Sequence, residues 1–147
     1  MATIDRDFIR QYVKSPESII LRDISGGNTV LKVPGFDVAI KFGGGVTMEE
    51  AVAQGIVYAL LDQAVVRIPK VYHFYRDSQK NIGYLAMEWL DGAPIDLQDD
   101  IQSKALQKTI GYLASFPETF QDLFIMASRK VYFSKTALQA ITKQSKG

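Results

Sequence analysis

Near the N-terminus Phe8, Ile9, Tyr12 and Val13 recur at helical spacing, which predicts a short helix from Asp5 to Val13, stopped by Ser15-Pro16. The period then falls to two. In "SIILRDIS", Ile20, Arg22 and Ile24 alternate with Ile19, Leu21 and Asp23, predicting a strand with at least one buried face. "GGN" breaks that strand and "TVLKV" resumes extended structure. "PGFD" is a turn, because Pro34 fixes φ and Gly35 tolerates positive φ. "VAIKF" is then the third strand of an antiparallel meander.

From Thr47 the period returns to that of a helix. Thr47 with Glu50 three residues on is a capping-box signature, and Ala51, Val57, Leu60 and Leu61 supply an apolar stripe running to about Ala64. "RIPKVYHFYRD" and "IGYLAMEWL" read as a hairpin joined by "SQKN", with Pro69 suited to a strand start or an edge. After "DGAPID", the residues Leu97, Ile101, Ala105, Ile110, Leu113 and Phe116 fit a helix that ends before Pro117. The remainder reads as one or two further helices with an apolar knot at Val131 to Phe133. The predicted fold is α+β: a five-stranded antiparallel sheet with one packed helix, followed by two or three C-terminal helices. It divides into residues 1–92, the sheet with its N-terminal helix, and residues 93–147, a helical segment. No repeat, linker or low-complexity stretch interrupts it.

Composition narrows the chemistry. A chain of 147 residues, 47% hydrophobic, suits one compact unit able to bury about 70% of its extended-chain surface. The net charge is +1 and no basic block exceeds two residues, so the electrostatic footprint of a nucleic-acid binder is missing. Cysteine is absent, which removes disulfides, thiol nucleophiles and zinc–thiolate sites; the single histidine, His73, builds no cluster. The charged N-terminus is no signal peptide, and no stretch approaches the roughly 18 apolar residues of a membrane span. The expectation is a soluble cytoplasmic protein without a membrane partner.

The candidate chemistry begins at Lys41, in a strand whose interior offers an ammonium group no solvent. Taken alone, Lys41 reads as an ordinary strand-end residue before it reads as a ligand contact. Its neighbours add to it. Gly26 and Gly27, ahead of it in a hairpin turn, lack Cβ, so their amides can approach phosphate oxygens closely. Glu50 falls nine residues after Lys41, on the helical stripe with Gln54, Val57 and Leu61, where it can orient the lysine. It is also the capping partner of Thr47, and Glu49 is the substitute if the helix presents its other face. "MEWLDG", Met87 to Gly92, runs an apolar strand into a turn, where freed backbone groups could bond an adenine edge between apolar walls at Ile24, Val30 and Ala39. Each feature has a bland alternative, namely a hairpin turn, a helix cap and a strand end.

In chain order, "VAIK", the glycine turn before it, a helix opening "EEA", "RIPKVY" and "AMEWLDG" resemble the small lobe of the protein-kinase-like superfamily. "RIPKVY" followed by "MEWLDG" is more similar to the aminoglycoside-phosphotransferase-like branch than to the protein kinases. The resemblance covers roughly Ile19 to Gly92. It implies an ATP site, with magnesium accompanying the nucleotide. In that site Lys41 lies on the α- and β-phosphates with Glu50 as its ion-pair partner. Gly26, Gly27 and Asn28 form the short glycine loop, and Met87, Glu88, Trp89 and Leu90 form the hinge.

Phosphoryl transfer also needs a residue to orient the acceptor hydroxyl and ligands for the metal. The family takes these from a His-x-Asp catalytic loop and a later aspartate. His73 precedes the hinge and reads as a packing residue; Asp122 in "QDLF" has no catalytic loop before it and reads as an ordinary complement to a helix dipole. The pattern breaks off after Gly92, as in a truncated product. The expectation is therefore an ATP-binding, non-catalytic chain whose exposed lobe face is covered by Phe120, Leu123, Phe124, Val131, Tyr132 and Phe133 or by a protein partner. Two other readings stay open: an interaction module reusing the fold, and an α+β domain without a nucleotide site.

Overall fold

The computed structural model describes residues 2–23, 27–91, 98–120 and 122. Helix α1 (Arg6–Val13) opens at Asp5, whose carboxylate accepts from Phe8 N at 3.0 Å. Strands β1 (Ile19–Asp23), β2 (Thr29–Lys32) and β3 (Val38–Gly43) form an antiparallel meander. The β2–β3 turn closes where Val33 N donates to Val38 O at 3.0 Å, and Gly35 takes a φ of +76°. Helix α2 (Met48–Leu60) follows, with the Thr47 hydroxyl accepting from Glu50 N at 3.2 Å. Strands β4 (Val71–Asp77) and β5 (Ile82–Glu88) make a hairpin whose turn is held by Asp77, which accepts from Gln79 N at 3.0 Å and Lys80 N at 3.2 Å. Those two amide bonds, the Lys80 one first, lower the Asp77 pKa below its ordinary value. Helix α3 (Asp100–Ala114) is capped by Asp99.

The sheet order is β1-β2-β3-β5-β4, all antiparallel, so β3 is central and β1 and β4 are edges. Pro69 thus precedes an edge strand. Alternation gives the sheet two different faces. On one, Phe8 and Ile9 of α1 pack on Leu31, Val33, Val38, Ile40, Tyr84 and Ala86. On the other, Ala51 of α2 packs with Val46 and Leu85, flanked by Val71, Phe74 and Met87. A third cluster joins the C-terminal end of α2 to α3 through Val57, Leu61, Ile68, Leu113 and Phe120.

Three expectations need correction. The start of the first strand has neither face well buried: Ile19, Ile20 and Leu21 are 54, 61 and 45% exposed, because β1 is an edge strand. Helix α2 stops at Leu60 rather than near Ala64, since Leu61 turns extended at ψ 146°, and Leu60 itself points outward at 55% exposure. The α3 stripe holds only at its end. Leu113 is buried, whereas Ile101 is 80% exposed and Ala105 is exposed, because only the last turns of α3 meet α2. Among the described residues no helix is long and apolar enough to cross a membrane. Leu97 and the knot at Val131 to Phe133, with Leu123 and Phe124, lie outside the described residues.

Candidate functional site

Period two in β3 sends Val38 and Ile40 into the α1 face and Ala39 and Lys41 to the α2 face. The cross-strand register surrounds Lys41 with Val30 on β2 and Leu85 on β5, and Ala39 with Lys32 and Met87. Across from them, the helical period of α2 aligns Glu50, Gln54, Val57 and Leu61 on the buried side. The two periodicities meet at one contact: Lys41 Nζ donates to Glu50 Oε1, with the two residues 5 and 7% exposed.

Glu50 therefore makes only half of the capping box. Its amide takes the Thr47 hydroxyl, while its carboxylate takes Lys41. Glu49 is exposed, turned away from Lys41. Gln54, one turn on, donates from Nε2 to Pro69 O at 2.8 Å and lies 3.6 Å from Met87 Sδ, tying α2 to the start of β4 and the end of β5. A buried ion pair is a poor source of stability, because desolvating both charges offsets most of their attraction. Three adjacent buried polar side chains, Lys41, Glu50 and Gln54, thus mark this face as chemically different from the α1 face.

The turn between β3 and α2 was not singled out in the sequence. Asn28 Oδ1 accepts from Gly45 N at 3.2 Å, which anchors the start of β2 over Gly43-Gly44-Gly45. A Cβ on Gly43 would lie 2.3 Å from Asn28 Oδ1, and Gly43 has a φ of +154°. The legible signal was three consecutive glycines between a strand and a capping threonine. Gly83 serves the same region, since a Cβ there would lie 1.9 Å from Val46 O. Gly27 is exposed just before Asn28, while Ile24 and Gly26 lie outside the described residues.

The Met87–Leu90 segment ends β5, but two of its amides are already used. Glu88 N donates to Lys70 O at 2.8 Å and Trp89 N to Asp37 O at 3.0 Å. The Glu88 carboxylate pairs with Arg67 at 3.2 Å, and the Trp89 ring lies under Lys32 Nζ at 5.3 Å from its centroid. A cavity of about 330 Å³ opens beside them, lined by Asp37, Arg67, Glu88, Trp89, Leu90 and Asp91. Three carboxylates against one guanidinium make it a poor phosphate site. Burial, then the charges of Glu88 and Asp37, raise the nearby Tyr72 phenol above its ordinary value.

A second cavity, about 320 Å³, lies between α1 and the β4–β5 hairpin and includes Tyr75 and Tyr84. Lys41 lines neither. Ala39 and Lys41 are 3 and 5% exposed, so the face that would meet a nucleotide is covered within the chain. His73 sits half-buried on β4 near the Tyr75 ring, and Asp122 is exposed. Among the described residues, no group of three or more His, Cys, Asp or Glu side chains is placed to hold a metal. At the level of fold, the chain is a five-stranded antiparallel sheet with α2 packed on it and α3 at its end, and no protein-family model, curated protein or solved structure gives a significant match to it.

Proposed function

We propose that this chain binds ATP with magnesium, as a kinase-like small lobe of the aminoglycoside-phosphotransferase-like kind, without itself transferring phosphate. The buried Lys41–Glu50 pair carries the reading, set between the third strand and the helix after it. Lys41 supplies the positive charge for phosphate oxygens, Glu50 orients it, and Gly27 and Asn28 lead into the neighbouring strand. Val30 and Ala39 suit the flat apolar face of a base. The fit is partial. Ala39 and Lys41 are covered, and the Glu88 and Trp89 amides are committed, so binding requires local opening at the end of β5. With one histidine, upstream of the Met87–Leu90 segment, this sequence holds no His-x-Asp loop to orient an acceptor.

The same burial favours a second reading, an interaction module in which the pair only fixes α2 on the sheet. Thermal unfolding in Mg-ATP, against magnesium alone, separates the two. At about 100 times its dissociation constant a nucleotide adds about 2.7 kcal/mol, or roughly 5–10 °C in Tm for a chain of this size. The paired apolar substitution Lys41→Met/Glu50→Leu keeps the site packed and loses that shift. Equal shifts in both proteins, or none in the wild type, overturn the nucleotide reading.

A further inference from the structure

The outer face of α2 carries Met48, Val52, Ile56 and Leu60, exposed by 56, 52, 39 and 55%. Spaced four apart, they form one continuous row along the helix. A single exposed apolar residue is ordinary, but a row of four along one helix is the kind of patch that marks interaction sites. Its exposed charges are acidic, Glu49 at one end and Asp62 at the other, and no lysine or arginine occurs between Lys41 and Arg67.

The chain reaches the C-terminal end of α2 on the buried side of the helix, next to the Leu60 end of this row. Phe120, 5% exposed, packs with Val57 and Leu61 at the C-terminal end of α2, and residues 123–147 follow shortly after it. That segment contains Arg129, Lys130, Lys135, Lys143 and Lys146 and no aspartate or glutamate. Val131, Leu138 and Ile141 give it apolar residues at helical spacing. With 13 residues α2 is about 20 Å long at 1.5 Å per residue, so the segment can reach from Leu60 to Met48 without extending.

We propose that residues 123–147 dock along Met48, Val52, Ile56 and Leu60 of the same molecule, their apolar residues on the row and their basic residues toward Glu49 and Asp62. A second copy laid antiparallel on the row would set Glu49 against another Asp62, a like-charge contact that disfavours self-pairing.

Because the chain has no cysteine, Ala64→Cys accepts a single nitroxide label at an exposed position just beyond the Leu60 end of the row. The full-length, isotope-labelled chain is then read by amide NMR, with the reduced label as reference. The expected result is a several-fold loss of peak intensity across Val131 to Ile141, relieved when Ile56→Glu and Leu60→Glu are added. Unchanged intensities overturn the proposal. So does a loss that persists when the label and the isotope are carried on different molecules, which assigns the row to a second copy.

Discussion

The two faces of the sheet are built from the same strands by opposite rules. Under α1 every buried side chain is apolar, from Ile9 and Ile40 at 0% exposure to Tyr84 at 8%. Under α2 an apolar patch of Val46, Ala51 and Leu85 adjoins buried Lys41, Glu50 and Gln54. Burial of apolar surface accounts for the first face without remainder. It does not account for the second, where an all-apolar packing would be at least as stable. The α1 face is held by apolar burial alone; the α2 face also buries an ion pair, which adds little stability of its own.

The largest effects break that comparison. Glu50→Leu alone strands a buried ammonium group and should cost about 3–5 kcal/mol in denaturant unfolding. Adding Lys41→Met should recover most of that loss, bringing stability to about the wild-type value or above. Recovery of stability without recovery of the Mg-ATP shift would place the pair in binding rather than in folding. If the double variant stays as unstable as the single one, the pair is structural and the contrast between the faces is wrong. On the other face, Ile9→Ala should cost about 2–5 kcal/mol with no effect on nucleotide response beyond that loss. Smaller still, Asp5→Ala removes the cap of α1 and should cost about 1 kcal/mol in the same measurement.

How much of this was legible depends on whether a feature is local. The Lys41–Glu50 contact could be read because period two in "VAIK" and the helical period after Thr47 each fix a face. Gly35 could be read because one turn needs one positive φ. The exposure of β1 could not, since alternation in "SIILRDIS" says that a strand forms and not that it lies at an edge. Nor could the committed amides of Glu88 and Trp89, whose acceptors at Lys70 and Asp37 come from other parts of the chain. Asn28 over Gly43 to Gly45 is likewise a contact between separate segments, visible only as a run of small residues. The exposed row on α2 is half legible: the sequence puts Leu60 inward because a stripe of Ala51, Val57, Leu60 and Leu61 is wider than the face that α2 buries.

The smallest effect sharpens the comparison through two tyrosines on β4. Burial raises the Tyr75 phenol first, then Tyr84 does, while Arg10 and Arg6 pull it back. For Tyr72 burial also comes first, but its charged neighbours, Glu88 and Asp37, push the same way. A folded-state pKa above the unfolded value of about 10 means that stability is complete below that pH. It is lost as pH climbs from there through the folded pKa. Tyr72→Phe and Tyr75→Phe should each remove part of the alkaline decline in unfolding free energy. Salt should then divide them, because it screens charges that raise one phenol and lower the other. Added salt should move the Tyr72 tyrosinate transition to lower pH and the Tyr75 transition to higher pH, read by ultraviolet absorbance in the two single variants. Shifts of the same sign would show that the charged groups around β4 do not differ between its two ends.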